Sequence, residues 1–189
     1  GRFDFSSIID RKPLRFPNGS RIAVWVIPNI EHFHFDQPST SITPMTANLK
    51  PDVLNYSWRD YGVRVGIWRL MDVLNKYSVK GTVALNSEVC DFYPQIIRAG
   101  RELEWEWMAH GSTNSVLLNN QTYEEENKLI QEVITKIHSS TGTSPKGWLS
   151  PALSETHNTP DILAKNGIEY LCNWVNDEQP YAMRVQTGR

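Results

Sequence analysis

The chain is 189 residues long, enough for one sizeable core and too short for two. Hydrophobic residues make up 40% of it and charged residues 21%, the balance of an ordinary globular protein. The net charge of −2 gives no ground for binding nucleic acid or an anionic membrane, and no apolar run approaches the ~18 residues that span a bilayer.

Residues 1–5 lack a basic segment followed by an apolar stretch, so no signal peptide is read and a cytoplasmic protein is expected. Residues 21–27 form a β-rich apolar run that stops at Pro28, which predicts a strand buried on both faces. Residues 29–60 are polar, punctuated by proline and without period. They predict a long loop, and long loops in compact domains tend to carry function. Val63, Ile67, Leu70, Met71 and Leu74 share one face of a helix predicted over residues 63–77. A strand over 82–85 follows, then a helix over 88–99 with Gly100 as its C′ residue, then a strand over 104–109. Thr122 with Glu125 three residues on is a capping box; it opens a helix that runs to about residue 139 and stops near Gly142. Residues 146–149 predict a strand, Thr159-Pro160 opens a helix ending at Asn166-Gly167, and residues 168–174 predict a last strand.

This order implies a parallel α/β sheet wound by right-handed crossovers. Five strands are visible, whereas an eight-stranded barrel takes ~250 residues. An open sheet or an incomplete barrel is therefore expected, in one domain over residues 1–189. Cys90 and Cys172 lie in apolar surroundings and read as buried thiols, not as a disulfide.

In a parallel sheet the carboxyl ends of the strands share one face, where chemistry sits. The first end presents Asn29 and Glu31, with His32 and His34 as further candidates; the second presents Asn86 and Glu88; the third His110 and Asn114. The fourth presents Trp148, Ser150 and Pro151, and the fifth Trp174, Asn176 and Asp177. Such a set can hold a polar substrate, position a water and move a proton. Each residue also has a plainer reading. Glu31, His32, His34 and Asp36 alternate with apolar residues as in a solvated loop, a lone His110 is more often structural, and Asp177 suits a turn. Glu124, Glu125 and Glu126 read as a solvated first helical turn, and His138 as a partner for its helix dipole. Even-numbered residues share a face along 104–110, so an inward His110 brings Glu106 inward with no partner that the sequence names. Glu31 and His110 are zinc-type ligands and Asn114 a poor third, so a tightly held metal is the weaker expectation. Nucleophile-elbow, Walker and Cys-x-x-Cys motifs are missing from the sequence.

The residues resemble the polysaccharide deacetylase superfamily (carbohydrate esterase family 4), in particular its metal-independent, allantoinase-like branch. The strand ending in Asn29-Ile30-Glu31 is similar to the first motif, with Asn29 at the place of the aspartate base and Glu31 at that of an aspartate ligand. Residues 106–114 are similar to the second motif, with His110 kept and Asn114 in place of the second metal-binding histidine. Gly147-Trp148-Leu149-Ser150-Pro151 replaces the third motif, and Trp174-Val175-Asn176-Asp177-Glu178-Gln179-Pro180-Tyr181 is similar to a segment of the allantoinase-like branch.

The resemblance implies a distorted (β/α) barrel of seven to eight parallel strands, of which this chain supplies about five, with the last strands and the last histidine motif beyond residue 189. It implies hydrolysis of a carbon–nitrogen bond that is not a peptide bond. Glu31, His110 and Asp177 are then the catalytic candidates, with Glu31 activating water and Asp177 orienting His110 or binding substrate. Asn29, Asn114, Trp148, Trp174 and Asn176 are the substrate-binding candidates, the tryptophans walling the pocket. No cofactor is expected; the alternative is a divalent zinc held by Glu31, His110 and Asn114 in a deacetylase of N-acetylated sugars. A further alternative is a binding protein that kept the fold and lost the base. The expected partner is a small amide or an N-acetyl sugar, and a homo-oligomer is compatible with this reading.

Overall fold

Five short strands line up side by side: β1 (Asn29–Ile30), β2 (Thr82–Leu85), β3 (Glu106–Ala109), β4 (Gly147–Trp148) and β5 (Tyr170–Leu171). The computed structural model describes residues 1–37, 43–46 and 48–186. All neighbouring pairs are parallel, and the sheet order is β1-β2-β3-β4-β5. Right-handed crossovers that always step to the next neighbour leave their helices on one face of the sheet. That is how a barrel wall is wound; a doubly wound sheet reverses its strand order. The sheet curves accordingly. Trp25, just ahead of β1, meets Tyr170 of β5 edge to face with ring centroids 5.8 Å apart.

The helices are α1 (Val53–Tyr61), α2 (Ile67–Lys76), α3 (Val89–Phe92), α4 (Pro94–Glu102), α5 (Tyr123–Thr141) and α6 (Thr159–Lys165). Alternation along β2 and β3 sends Val83, Leu85, Trp107 and Ala109 to one face, where they join Ile67, Met71, Ile96, Ile130, Ile137 and Ile162 in the buried core. The opposite face carries Thr82, Ala84, Met108 and, just past the strand, His110. None of the helices among the described residues is long and apolar enough to cross a membrane.

The capping box of α5 forms as expected: Thr122 Oγ1 accepts from the Glu125 N–H at 3.3 Å, and Thr122 N–H donates to Glu125 Oε2 at 2.9 Å. Gly142 closes that helix at φ 84°, in the left-handed region. The two cysteines are free, Cys90 buried and Cys172 half-buried with Sγ 3.8 Å from Met108 Sδ.

Other expectations need correction. The predicted strand over 21–27 pairs only from residue 26 onward, where Val26 and Pro28 carbonyls accept from Thr82 and Ala84 N–H at 3.0 Å. Ile22 and Val24 are 77% and 83% exposed, because among the described residues no strand or helix covers that edge. The expected loop over 29–60 gives way to α1, whose start is capped by the Asp52 side chain accepting from the Asn55 N–H at 3.2 Å. The only fully buried residue of α1 is Asn55, so no apolar stripe advertised the helix. Residues 38–42 and 47 of that predicted loop lie outside the described residues. The expected helix over 88–99 is broken into α3 and α4 at Tyr93, ahead of Pro94.

Glu126 is fully buried, not solvated, and accepts from the hydroxyls of Thr156 and Thr159. Glu106 has the partners that the sequence did not name: Thr82 Oγ1 at 2.9 Å and Tyr170 OH at 3.0 Å.

Gly100 does not end its helix; it lies inside α4, which runs on to Glu102. A Cβ at Gly100 would stand 2.5 Å from Trp107 Cη2 and 2.9 Å from its Cζ2. The glycine is there for the indole of β3. Alanine gains about 1 kcal/mol of helix propensity, but overpacking a core costs about 1–3 kcal/mol. Gly100→Ala is expected to lower stability in urea unfolding by about 1 kcal/mol. Unchanged or raised stability would show that α4 and Trp107 are not in contact.

Candidate active site

The polar groups past β1, β2 and β3 are tied into one chain of hydrogen bonds. It begins with a main-chain group that has no choice of role. The N–H of His32 donates to Asn86 Oδ1 at 2.9 Å, in a pocket where Asn86 is fully buried. This fixes the Asn86 amide, and its Nδ2 then donates to the His110 carbonyl and, at 3.0 Å, to Asn114 Oδ1. Asn114 Oδ1 accepts there, and the side chains of Asn114 and Asn29 both lie close enough to Glu31 to favour its ionised form. The Asn114 main-chain N–H donates to the His32 carbonyl at 3.0 Å, and Thr113 Oγ1 donates to the same oxygen at 2.7 Å.

His110 is the other end of the chain. Its ring is only 3% exposed. Nδ1 lies 2.6 Å from the carbonyl oxygen of Leu149, which can only accept, so Nδ1 carries a proton. Nε2 lies 3.3 Å from Glu31 Oε1. Nε2 is thus the ring nitrogen that faces the carboxylate. Burial by itself pushes the Glu31 carboxyl up. The hydrogen bond and charge of His110, with the amides of Asn114 and Asn29, outweigh that and hold it below its ordinary value. Arg59, whose guanidinium sits 4.1 Å over the Phe33 ring, adds positive charge near Glu31.

Of the residues expected from sequence, Glu31, His110, Asn29 and Asn114 come together. Asp177 does not orient His110, because both ring nitrogens have other partners. It pairs instead with Arg11 at 2.7 Å, in a groove shared with Phe3, Ser7, Asn176 and Tyr181. Arg11 holds the Asp177 carboxyl below its usual range. Trp148 is fully buried and donates Nε1–H to Ser150 Oγ at 2.8 Å, so it is core and not a pocket wall. Trp174 is 45% exposed and packs edge-on against Phe3 at 5.3 Å. The carbonyl of Leu149 and the orienting role of Asn86 were missed. A main-chain acceptor leaves no sequence signal, and an asparagine at a strand end reads the same whether it is buried or exposed.

The set of Glu31, His110 and Asn114 does not fit a zinc ion. Zinc is held by histidine, cysteine and carboxylate ligands, whereas Asn114 brings an amide whose oxygen already accepts from Asn86. One imidazole and one carboxylate remain, and they face each other.

The polysaccharide deacetylase family model matches residues 53–171. The peptidoglycan deacetylase of Helicobacter pylori is 29% identical over 126 residues, which make up 64% of this chain and 41% of that protein. PuuE allantoinase shares the fold with a TM-score of 0.79 at 20% identity, over 95% of this chain and 64% of that one. A "probable polysaccharide deacetylase" from Pseudomonas aeruginosa PAO1 does so with a TM-score of 0.79 at 22% identity, over 92% of this chain and 62% of that one. The chain thus spans less than two thirds of the length of each of these relatives.

The balance of forces on Glu31 has a measurable sign. Followed by NMR, its carboxyl should titrate below the ordinary 4.5, and His110→Ala should move the midpoint upward as burial meets only the two amides. A parent midpoint at or above 4.5 would contradict the pairing.

Proposed function

The chain belongs to the polysaccharide deacetylase family, and we propose that its Glu31–His110 pair hydrolyses a carbon–nitrogen bond of an amide that is not a peptide bond. The observation that carries this is the 3.3 Å contact between Glu31 Oε1 and His110 Nε2, beside a carboxyl that His110, Asn114 and Asn29 together hold below its ordinary value. The pair acts as base and acid at once. A water attacks the amide carbonyl carbon and gives a proton to Glu31. The carbonyl oxygen becomes an oxyanion. As Glu31 loses its charge it loosens its hold on Asn29 and Asn114, whose N–H groups then turn to the new charge. The intermediate collapses, the carbon–nitrogen bond breaks, and the leaving nitrogen takes the Nε2 proton of His110. The proton on Glu31 passes to Nε2 and restores the resting pair, leaving an acid and an amine.

The reading takes no metal between Glu31 and His110, which face each other at 3.3 Å with an amide, a weak zinc ligand, as their third neighbour. Asn176, Asp177 and Trp174 are assigned to parts of a substrate distant from the bond that breaks, with no acid–base task. The substrate is a ureide or an N-acetylated sugar. The identity to a peptidoglycan deacetylase supports the second, and the fold shared with PuuE allantoinase accommodates the first.

His110→Ala and Glu31→Gln are each expected to lower kcat/KM by about 10²–10⁴-fold with an unchanged far-ultraviolet spectrum, assayed on allantoin and on N-acetylglucosamine oligomers. Binding of both compounds without turnover by the parent protein would overturn the proposal. Glu31 must be ionised to accept the water's proton, and its carboxyl is held low. The acid fall of kcat/KM should therefore begin below pH 4.5 and not above it.

A further inference from the structure

A second constellation lies one residue from Glu31 and takes no part in the chemistry above. Two histidines at positions 32 and 34 of an extended segment point to the same side of the main chain, with Phe33 between them on the other. They converge on one carboxylate oxygen. Glu88 Oε2 lies 2.8 Å from His32 Nδ1 and 2.7 Å from His34 Nε2, and the three ligand atoms lie within 4.8 Å of one another. We infer that His32, His34 and Glu88 form a binding site for a divalent cation of zinc type, separate from the Glu31–His110 pair.

The donor set is the first reason. Two imidazoles and a carboxylate bind zinc with a fourth position left for water. The second reason is that each ligand is held by bonds that do not use its ligand atom. His32 is anchored through its N–H to Asn86 and its carbonyl to Thr113, and its ring stacks on Phe92 at 4.3 Å and 17°. His34 N–H donates to Ser115 Oγ at 2.9 Å, and Glu88 N–H to the Ser112 carbonyl at 3.0 Å. A cation can replace the two shared protons without moving the backbone, because each imidazole can carry its proton on the other nitrogen. The third reason is access: the side chains of His34 and Glu88 are 32% and 27% exposed, so the ion can arrive and leave. Bound there, it clasps the segment after β1 to the start of α3 and holds the main chain next to Glu31.

This site uses none of the residues assigned to hydrolysis, so either reading can fail alone. Protein stripped with a chelator and titrated with Co²⁺ should show one equivalent bound, with a visible d–d band of a four- or five-coordinate ion. His34→Ala and Glu88→Gln should weaken binding by more than about 100-fold, since even partners outside the coordination sphere are worth 10–100-fold. His110→Ala should bind as the parent does. His32 is left unchanged because its ring is packed into the fold. Two results would overturn the site: no stoichiometric Co²⁺ or Zn²⁺ on the parent, or binding lost with His110→Ala and kept by the folded His34→Ala protein.

Discussion

The hydrogen bond from the His32 main-chain N–H to Asn86 Oδ1 sets the sense of the Asn86 amide and, through it, of Asn114 beside the site. A backbone N–H donates and does nothing else, so the Asn86 amide has one orientation. From there the roles follow in order. Asn86 donates to Asn114 Oδ1, and the Asn114 side chain in turn lies beside Glu31 and favours its ionised form. The bond is fully buried at Asn86, where an unmade hydrogen bond costs about 1–3 kcal/mol. No alternative arrangement of the amides satisfies that N–H.

The winding of the sheet brings these groups together. Sequential parallel strands with helices on one face leave the opposite face free, and all carboxyl ends open on the same side. Glu31, Asn86, His110, Ser150 and Asn173 each stand one to two residues past a strand, in the order of the sheet. The first three form the Glu31–His110 network. Ser150 and Asn173 form a separate buried knot with Glu155: Asn173 Oδ1 accepts from the Ser150 N–H at 2.7 Å, and its Nδ2 donates to Glu155 at 2.7 Å. Burial pushes the Glu155 carboxyl above its usual value, against the amide that holds it. The segment after β5 belongs to neither. It is drawn toward the amino terminus by Arg11–Asp177 and by Phe3, which packs on Trp174 and Tyr181.

What could be read from the residues was the periodicity. The strand over 82–85, most of the strand expected over 104–109, the capping box at Thr122 and the parallel winding all follow from local pattern, and so does the placing of His110 at a strand end. What could not be read were facts of packing. Gly100 has the sequence look of a helix stop, and only the Trp107 indole explains it. Glu126 sits among two other glutamates, and nothing local tells that it alone meets the Thr156 and Thr159 hydroxyls inside the protein. Trp148 stands beside polar residues at a strand end, yet its indole N–H is satisfied by Ser150 two residues on, and the ring is free to be core. Glu88 was placed at a strand end by pattern, but its meeting with His32 and His34 depends on a register across 54 to 56 residues of chain.

The pairing of Glu31 with His110 also explains why an asparagine is tolerated at position 29, where the resemblance places an aspartate base. A second carboxylate beside Glu31 would repel it, raise the pKa of one of the two, and compete for the Nε2 proton. An amide at 29 does the reverse: it donates to Glu31 and adds to the forces that keep the carboxylate ionised. The same logic applies at 114. A histidine there would offer a second lone pair toward Glu31 and favour a cation between them, whereas an amide locked by Asn86 offers a proton. Two amide substitutions therefore act in one direction. They exchange a site that gathers negative charge and lone pairs for one that surrounds a single carboxylate with amides, the surroundings on which the proposed Glu31–His110 chemistry relies.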